Sequence, residues 1–226
     1  TGLLQSKRHR MAAIPLKEAR LFGGTIAMKL PVGFLDVSDF RELPDTQECW
    51  AHAETDQSFI VEILAHEDEV NDAESAVFYF NDIAACNDSH EQSVVAGPTD
   101  CSELMRHLLA SGPSTDVPVG TPSCWVLQGR QHVAKFKEAE HNVVEVHVAV
   151  LRLPNVDSDV VVHYNQPLAI HSDSSSTTLA QATPAGSPEE GAALFKVLLH
   201  SLQVRDWGLF NASEAAEADE TLSSPP

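Results

Sequence analysis

The chain has 226 residues, of which 43% are hydrophobic, and its 33 Asp and Glu against 14 Lys and Arg give a net charge of −19 at pH 7. This length fits one globular domain of roughly 150 to 200 residues, or two small ones, and the apolar content excludes a disordered chain. So few cations exclude a nucleic-acid-binding protein, which needs a basic face to neutralise phosphates, and the charge predicts a basic partner surface.

Apolar runs and cysteines indicate the compartment. No stretch of 18 apolar residues occurs, and the N-terminal residues lack the apolar segment of a secretory signal, so we expect a soluble intracellular protein with no membrane span. The four cysteines, Cys49, Cys86, Cys101 and Cys124, form no CxxC pair. They are therefore predicted to be free thiols in a reducing compartment.

In chain order, residues 1–20 are predicted to be a flexible extension, residues 21–210 a single folded domain, and residues 211–226 a disordered acidic tail. Strands are predicted near 24–30 and 47–53, a hairpin over 125–133 that turns at Gly129, and a long hairpin over 143–165. Helices are predicted over 68–82, 101–110 and 189–202, and surface loops over 111–123 and 169–188. The fold class is therefore α+β, with an antiparallel sheet of about six strands flanked by helices.

Large apolar side chains in these elements recur at core spacing. Trp50 and Trp125 lie in predicted strands, whereas Phe195, Leu198 and Leu202 form a stripe on the last predicted helix. All five are predicted to be structural.

Catalytic and metal-binding signatures are scarce in this sequence. It contains no Walker motif, no GxGxxG and no GxSxG, and neither His-Glu dipeptide has the second His that a zinc protease needs. His147 and His163 have the same parity on the two strands of the long hairpin and are predicted to be cross-strand neighbours, with His132 as a candidate third ligand. Because histidines on a half-buried sheet face are commonplace, we predict no metal site and no catalytic residue.

The segment that says most about function runs from residue 21 to residue 50. Five carboxylates fall within the thirteen positions from Asp36 to Glu48, between two predicted strands. One interpretation is an acidic docking loop, and the other is that the carboxylates cap turns and solvate a surface.

Here the residues resemble a known family. The patterns Leu21-Phe-Gly-Gly, Leu30-Pro-x-Gly-Phe-x-Asp-Val-Ser-Asp39 and Arg41-x-Leu-Pro-Asp-Thr-Gln-Glu48 resemble the Mog family, also called Ran guanine nucleotide release factors. The resemblance continues through residues 55–64, 129–135, 151–154 and 159–167, in the same order and at similar spacing.

The resemblance implies a PsbP-like fold and a protein that binds the small GTPase Ran and promotes release of its guanine nucleotide. It implies a regulator rather than an enzyme, no cofactor, a monomer, and a place in nuclear import in the nucleus and cytoplasm. Ala65 stands where some relatives carry a second acidic residue, so that contact is either missing or taken over by Glu67. The implied Ran-binding residues are Asp36, Asp39, Arg41, Pro44, Asp45, Gln47, Glu48 and Glu62.

Three alternatives stay open at this point. The protein could bind Ran or another basic partner without altering nucleotide exchange. It could be a thylakoid-lumen protein, since the PsbP-like fold is shared with photosystem subunits, although no targeting segment precedes Met11. It could also be an enzyme built on His147 and His163.

Overall fold

The computed structural model describes residues 14–109, 121–134, 141–170 and 186–211. In these residues the chain forms ten strands and three α-helices. The strands are Leu16–Leu21 (β1), Ile26–Pro31 (β2), Phe34–Asp36 (β3), Gln47–His52 (β4), Ser58–Ala65 (β5), Glu91–Asp100 (β6), Ser123–Ala134 (β7), His141–Leu153 (β8), Ser158–Ala169 (β9) and Gln203–Val204 (β10). The helices are Asp72–Cys86 (α1), Arg106–Leu109 (α2) and Pro188–His200 (α3).

The strands form two antiparallel sheets. The larger has seven strands in the order β3-β4-β5-β9-β8-β7-β6, and the smaller has three in the order β1-β2-β10. The predicted long hairpin is β8 and β9, which are joined by a 3₁₀ turn at Pro154–Val156 and by Asp157 in a left-handed conformation. The α+β class is therefore confirmed, although the sequence analysis did not predict a second sheet.

Two apolar clusters hold the layers together, one on each face of the seven-stranded sheet. On one face, here called the α1 face, Val146, Val148 and Val150 of β8 pack with the buried residues of α1. On the other, here called the opposite face, Ala149 and Leu151 pack with β2 and α3. Because alternate residues of a strand point to opposite faces, a strand covered on both sides becomes a continuous apolar run.

The helices begin where polar side chains cap them. The side chain of Asn71 accepts a hydrogen bond from the backbone N–H of Ala73, so α1 begins at Asp72 rather than at residue 68. Ser187 and Glu190 form a capping box at the start of α3, close to the predicted boundary. Residues 102–105 form turns, so only 106–109 are helical within the described part, 101–109, of the predicted 101–110 helix.

The predicted structural residues lie in the core. Phe195, Leu198 and Leu202 are buried in the cluster on the opposite face, as predicted. Trp50 packs against the same cluster, and Trp125 packs against the cluster on the α1 face.

Residues 125–133 do not form a hairpin, so that prediction was wrong. They belong to the single twelve-residue strand β7, and Gly129 lies in its middle rather than in a turn. A Cβ atom at position 129 would come within 2.4 Å of the Phe80 ring of α1, so only glycine lets the helix pack this closely on the strand. The glycine therefore marks a close approach of two elements.

Two other boundaries differ from the predictions. Residues 16–20 are not a flexible extension, because Leu16–Leu21 pairs with β2 along its whole length. Strand β6, which forms one edge of the large sheet, was not predicted from the sequence. Residues 1–13, the tail from 212, and residues 111–120 and 171–185 of the two predicted loops lie outside the described residues.

Candidate functional site

The acidic segment forms the other edge of the seven-stranded sheet. It begins at the end of β3, passes through a 3₁₀ turn at Val37–Asp39 and a loop, and enters the sheet as β4, which pairs with β5. This region, residues 36–48, is here called the acidic edge. Because β3 and β4 hold it at both ends, the fold fixes the position of the intervening loop.

Local hydrogen bonds shape the loop of the acidic edge. The Asp36 carboxylate accepts hydrogen bonds from the backbone N–H of Ser38 at 2.9 Å and from its hydroxyl at 2.6 Å, and so caps the 3₁₀ turn. The carbonyl of Pro44 accepts a hydrogen bond from the N–H of Gln47 at 2.9 Å, which closes a turn just before β4. Asp36 therefore has the capping role that the sequence analysis offered as the alternative to docking.

Four predicted site residues of the acidic edge have exposed side chains. Asp39, Arg41, Pro44 and Asp45 are all exposed. Asp39 and Asp45 accept none of the hydrogen bonds that shape the loop. These two carboxylates are the predicted site residues whose charge faces solvent most directly.

Glu48 has a structural partner that the sequence did not reveal. One oxygen of its carboxylate accepts a hydrogen bond at 2.5 Å from the backbone N–H of Phe22, which lies in a turn with φ 49°. Burial raises the pKa of Glu48, the bond from Phe22 lowers it, and nearby Asp36 raises it again, so that the net shift is upward. Glu48 thus ties the β1–β2 turn to the acidic edge while it contributes charge to that edge.

Gln47 and Glu62 form a pair on the α1 face. They are directly opposed across β4 and β5, and the Gln47 amide donates a hydrogen bond of 2.7 Å to the Glu62 carboxylate. Glu48 is opposed to Val61, whose side chain belongs to the cluster on the opposite face. The predicted site residues are therefore divided between the two faces of one sheet edge, and a partner would have to approach the edge itself to meet both groups.

A concave region of about 600 Å³ opens beside Glu48 on the acidic edge. Carboxylates and two arginines surround it, together with apolar side chains from the β1–β2 turn and from the 3₁₀ turn at Trp207–Asn211. Its lining includes Arg20, Phe22, Asp36, Arg41, Glu42, Asp45, Glu48 and Leu209. Its acidic lining suits a protruding basic side chain.

The exposed apolar residues at this edge of the sheet were not predicted from the sequence. Phe40 is 74% exposed between Asp39 and Arg41, and Leu35 on β3 is 46% exposed. One signal could have identified Phe40 from the sequence. It is a large aromatic side chain in a polar loop, outside any helical or strand periodicity. Exposed aromatic residues surrounded by polar ones are typical of the anchors of protein interfaces.

Ala65 lies at the end of β5 and is exposed. It is three positions after Glu62, and successive side chains of a strand alternate between faces. A carboxylate at position 65 would therefore lie on the other face from Glu62.

The predicted neighbours His147 and His163 lie on different faces, so that prediction was wrong. In the register of β8 and β9, His147 is opposed to Tyr164, whereas His163 is opposed to Val148. Burial lowers the pKa of each to about 4, so both are neutral at pH 7. No group of three or more metal-ligating side chains occurs among the described residues.

The described part of the chain contains no helix with the length and apolarity needed to cross a membrane.

Comparisons with known proteins agree on one family. A family model described as "Ran-interacting Mog1 protein" matches residues 19–167. The Ran guanine nucleotide release factor of Danio rerio is 32% identical over 191 residues, which cover 84% of this chain and 97% of that protein. The nuclear import protein MOG1 of Saccharomyces cerevisiae is 29% identical, over 67% of this chain and 66% of that protein. The crystal structure of the S. cerevisiae Ran-binding protein Mog1p has a TM-score of 0.59 at 23% identity, over 88% of this chain and all of that one.

Proposed function

The chain belongs to the Mog1 family, and from that membership we propose that it binds the small GTPase Ran through the acidic edge and promotes release of the guanine nucleotide bound to Ran. The observation that carries this proposal is the acidic edge itself, where exposed carboxylates lie on a loop that paired strands hold at both ends. Relatives over most of the chain are named for Ran nucleotide release or nuclear import, which supports a place in nuclear protein transport.

The electrostatics favour a basic partner surface. Asp39 and Asp45 are exposed on the loop, and the whole chain carries a net charge of −19. Complementary charge speeds the encounter of two proteins and selects among partners. The exposed Phe40 would then supply the apolar contact at the centre of the interface that charges alone do not provide.

Nucleotide release follows from linkage. A GTPase holds phosphates and Mg²⁺ with a Lys, backbone N–H groups and switch segments, and carboxylates presented to the basic groups around that site compete with the phosphates. A partner that binds the nucleotide-free GTPase tenfold more tightly weakens nucleotide binding tenfold, which is a coupling of about 1.4 kcal/mol. The acidic edge is therefore proposed to act as a regulator of Ran rather than as a catalyst of bond chemistry.

The test uses Ran loaded with a fluorescent guanine nucleotide and mixed with the full chain. We expect binding together with faster loss of the label, and we expect the doubly substituted variant Asp39→Asn with Asp45→Asn to lose about tenfold or more in affinity. Phe40→Ala should weaken binding by a similar factor without loss of stability, because its side chain is 74% exposed.

The matched control removes two charges elsewhere. Asp82 on α1 and Glu91 on β6, the far edge of the same sheet, are both exposed. Asp82→Asn with Glu91→Gln should leave the affinity nearly unchanged, and equal losses from both pairs would show that total charge alone attracts Ran. Binding without faster nucleotide loss would support a binding module, and the absence of binding would overturn the proposal.

A further inference from the structure

Two of the four cysteines lie opposite each other at one end of the large sheet. Asp100 of β6 is directly opposed to Trp125 of β7, so the next pair along the two strands is Cys101 and Cys124. The backbone N–H of Cys101 donates a hydrogen bond of 2.7 Å to the carbonyl of Cys124, which continues the antiparallel pairing beyond the last assigned residue of β6. Directly opposed side chains of an antiparallel pair point to the same face.

Both thiols lie on the opposite face of the sheet. Cys124 is completely buried there, and Cys101 is partly buried against the same apolar cluster. A thiolate at Cys101 would raise the pKa of Cys124, in addition to the larger effect of burial.

The backbone separation suits a disulfide. The N–H of Cys124 donates a hydrogen bond of 2.9 Å to the Ser102 hydroxyl rather than to Cys101. The Cα atoms of directly opposed residues in an antiparallel pair are about 4.5 to 5.5 Å apart. Disulfides join residues whose Cα atoms are about 4.4 to 6.8 Å apart. The two strands therefore hold the cysteines at a distance that a disulfide can span with the backbone in place.

A path for an oxidant reaches one of the two sulfurs. A cavity of about 170 Å³ is lined by Cys101, Leu104 and Lys196, among others. Lys196 is exposed on α3, so the cavity opens at the protein surface. Burial raises the pKa of Cys101 while Lys196 lowers it, with burial the larger effect, so the reactive thiolate is scarce at neutral pH and becomes more abundant at higher pH.

We propose that Cys101 and Cys124 are a thiol pair that hydroperoxides oxidise to an intramolecular disulfide, and that this bond stabilises the folded chain. The Cys101 thiolate attacks one oxygen of the peroxide and forms a sulfenic acid. The O–O bond breaks, and the other oxygen leaves as hydroxide or alkoxide. The sulfur of Cys124 then displaces the sulfenic hydroxyl, its proton leaves with that hydroxyl as water, and the S–S bond forms. Two thiols lose two electrons, and the peroxide gains them.

The consequence is a closed loop from residue 101 to residue 124, which includes α2. Closing a loop of this length lowers the entropy of the unfolded chain. We expect the oxidised protein to melt about 5–10 °C higher than the reduced protein. Neither cysteine belongs to the acidic edge, so this inference does not depend on the proposed function.

The experiment treats the full chain with hydrogen peroxide and maps its peptides by mass spectrometry without reduction. We expect a linked pair of peptides that contain Cys101 and Cys124, lighter by two hydrogen atoms than the separate peptides, and lost after treatment with dithiothreitol. Formation should be faster at pH 8.5 than at pH 7, and the melting temperature should rise and return with reduction.

Matched variants keep the result interpretable. Cys101→Ser, at the partly exposed position, should abolish the linked peptides. The double variant Cys49→Ser with Cys86→Ser, in which only the proposed pair remains, should form them as the parent does. Links through Cys49 or Cys86, sulfinic acid without any link, or an unchanged melting temperature after linkage would each overturn the proposal.

Discussion

Glu48 shows how one side chain can belong to the proposed binding surface and to the fold at the same time. Its carboxylate adds charge to the acidic edge, yet one oxygen holds the N–H of Phe22 in a turn with positive φ. A bulky residue in that backbone conformation costs free energy, so the turn depends on the contacts that hold it. Removing the charge and removing the oxygen are therefore separate experiments.

We predict that Glu48→Ala lowers the free energy of unfolding by about 1–3 kcal/mol, because the partly buried N–H of Phe22 loses its acceptor. Glu48→Gln keeps an amide oxygen at that position and should cost less than about 1 kcal/mol. Urea unfolding of the two variants beside the parent measures both values. If both variants unfold at the same urea concentration, the hydrogen bond to Phe22 does not stabilise the fold.

His147 and His163 contribute to the pH dependence of stability between pH 4 and pH 6.5. Both are buried and neutral in the folded chain, with pKa values lowered to about 4 from an ordinary 6.5. The unfolded chain therefore binds more protons than the folded chain between pH 6.5 and pH 4. The stability that these two residues contribute is fully present above pH 6.5 and falls as the pH falls through this range.

We predict that each of these histidines lowers the free energy of unfolding by about 1–2 kcal/mol when the pH is lowered from 7 to 5. Chemical denaturation at the two pH values measures the loss, and His163→Gln should reduce it because glutamine does not titrate. A variant that loses as much stability as the parent on acidification would contradict this assignment, whatever its stability at pH 7.

At the scale of elements, α3 closes the core on the opposite face of the sheet. Phe195, Leu198 and Leu199 of this helix are buried in the same cluster as the inward side chains of β2. Ser187 caps the start of the helix, and Leu202 anchors the chain just after its end. The helix is therefore held by packing along one side and by polar groups at its beginning.

We predict that Leu198→Ala lowers the free energy of unfolding by about 2–5 kcal/mol, because the side chain is 1% exposed and its removal leaves a cavity. The control is Val197→Ala on the same helix, where the side chain is 52% exposed and the cost should be below about 1 kcal/mol. Thermal or urea unfolding measures both, and equal stabilities for the two variants would contradict the packing of α3 against the sheet.

At the scale of the whole molecule, the net charge of −19 sets a long-range field. The field attracts any basic partner, whereas the acidic edge is the place where we propose that the partner docks. Charge over the whole surface acts mainly on the rate of encounter, and close contacts act mainly on the rate of dissociation.

We predict that binding to Ran weakens as salt rises, with the association rate falling first. The Debye length decreases from about 10 Å at 0.1 M to about 3 Å at 1 M. Salt therefore screens the long-range attraction between the two surfaces before it weakens the charge pairs in contact. Surface plasmon resonance across this range of salt measures both rates. An affinity that does not change with salt would contradict a docking surface built on carboxylates.

The sequence by itself determined the features that depend on neighbours along the chain. Alternating valines predicted the hairpin of β8 and β9, and an apolar stripe predicted α3 to within a few residues. The run of carboxylates between residues 36 and 48 and the family resemblance located the candidate site. Each of these signals is a local period or motif, which the polypeptide carries whether or not it has folded.

Only the tertiary structure decided which element covers which side chain. Gly129 was predicted to turn a hairpin, yet it lies inside a strand because the Phe80 ring needs the space. His147 and His163 were separated onto two faces by a register of one residue, and Glu48 was paired with Phe22, 26 positions away in the chain. Register and layer packing are set by contacts between residues distant in sequence, and a one-residue shift in pairing reverses the face of every side chain.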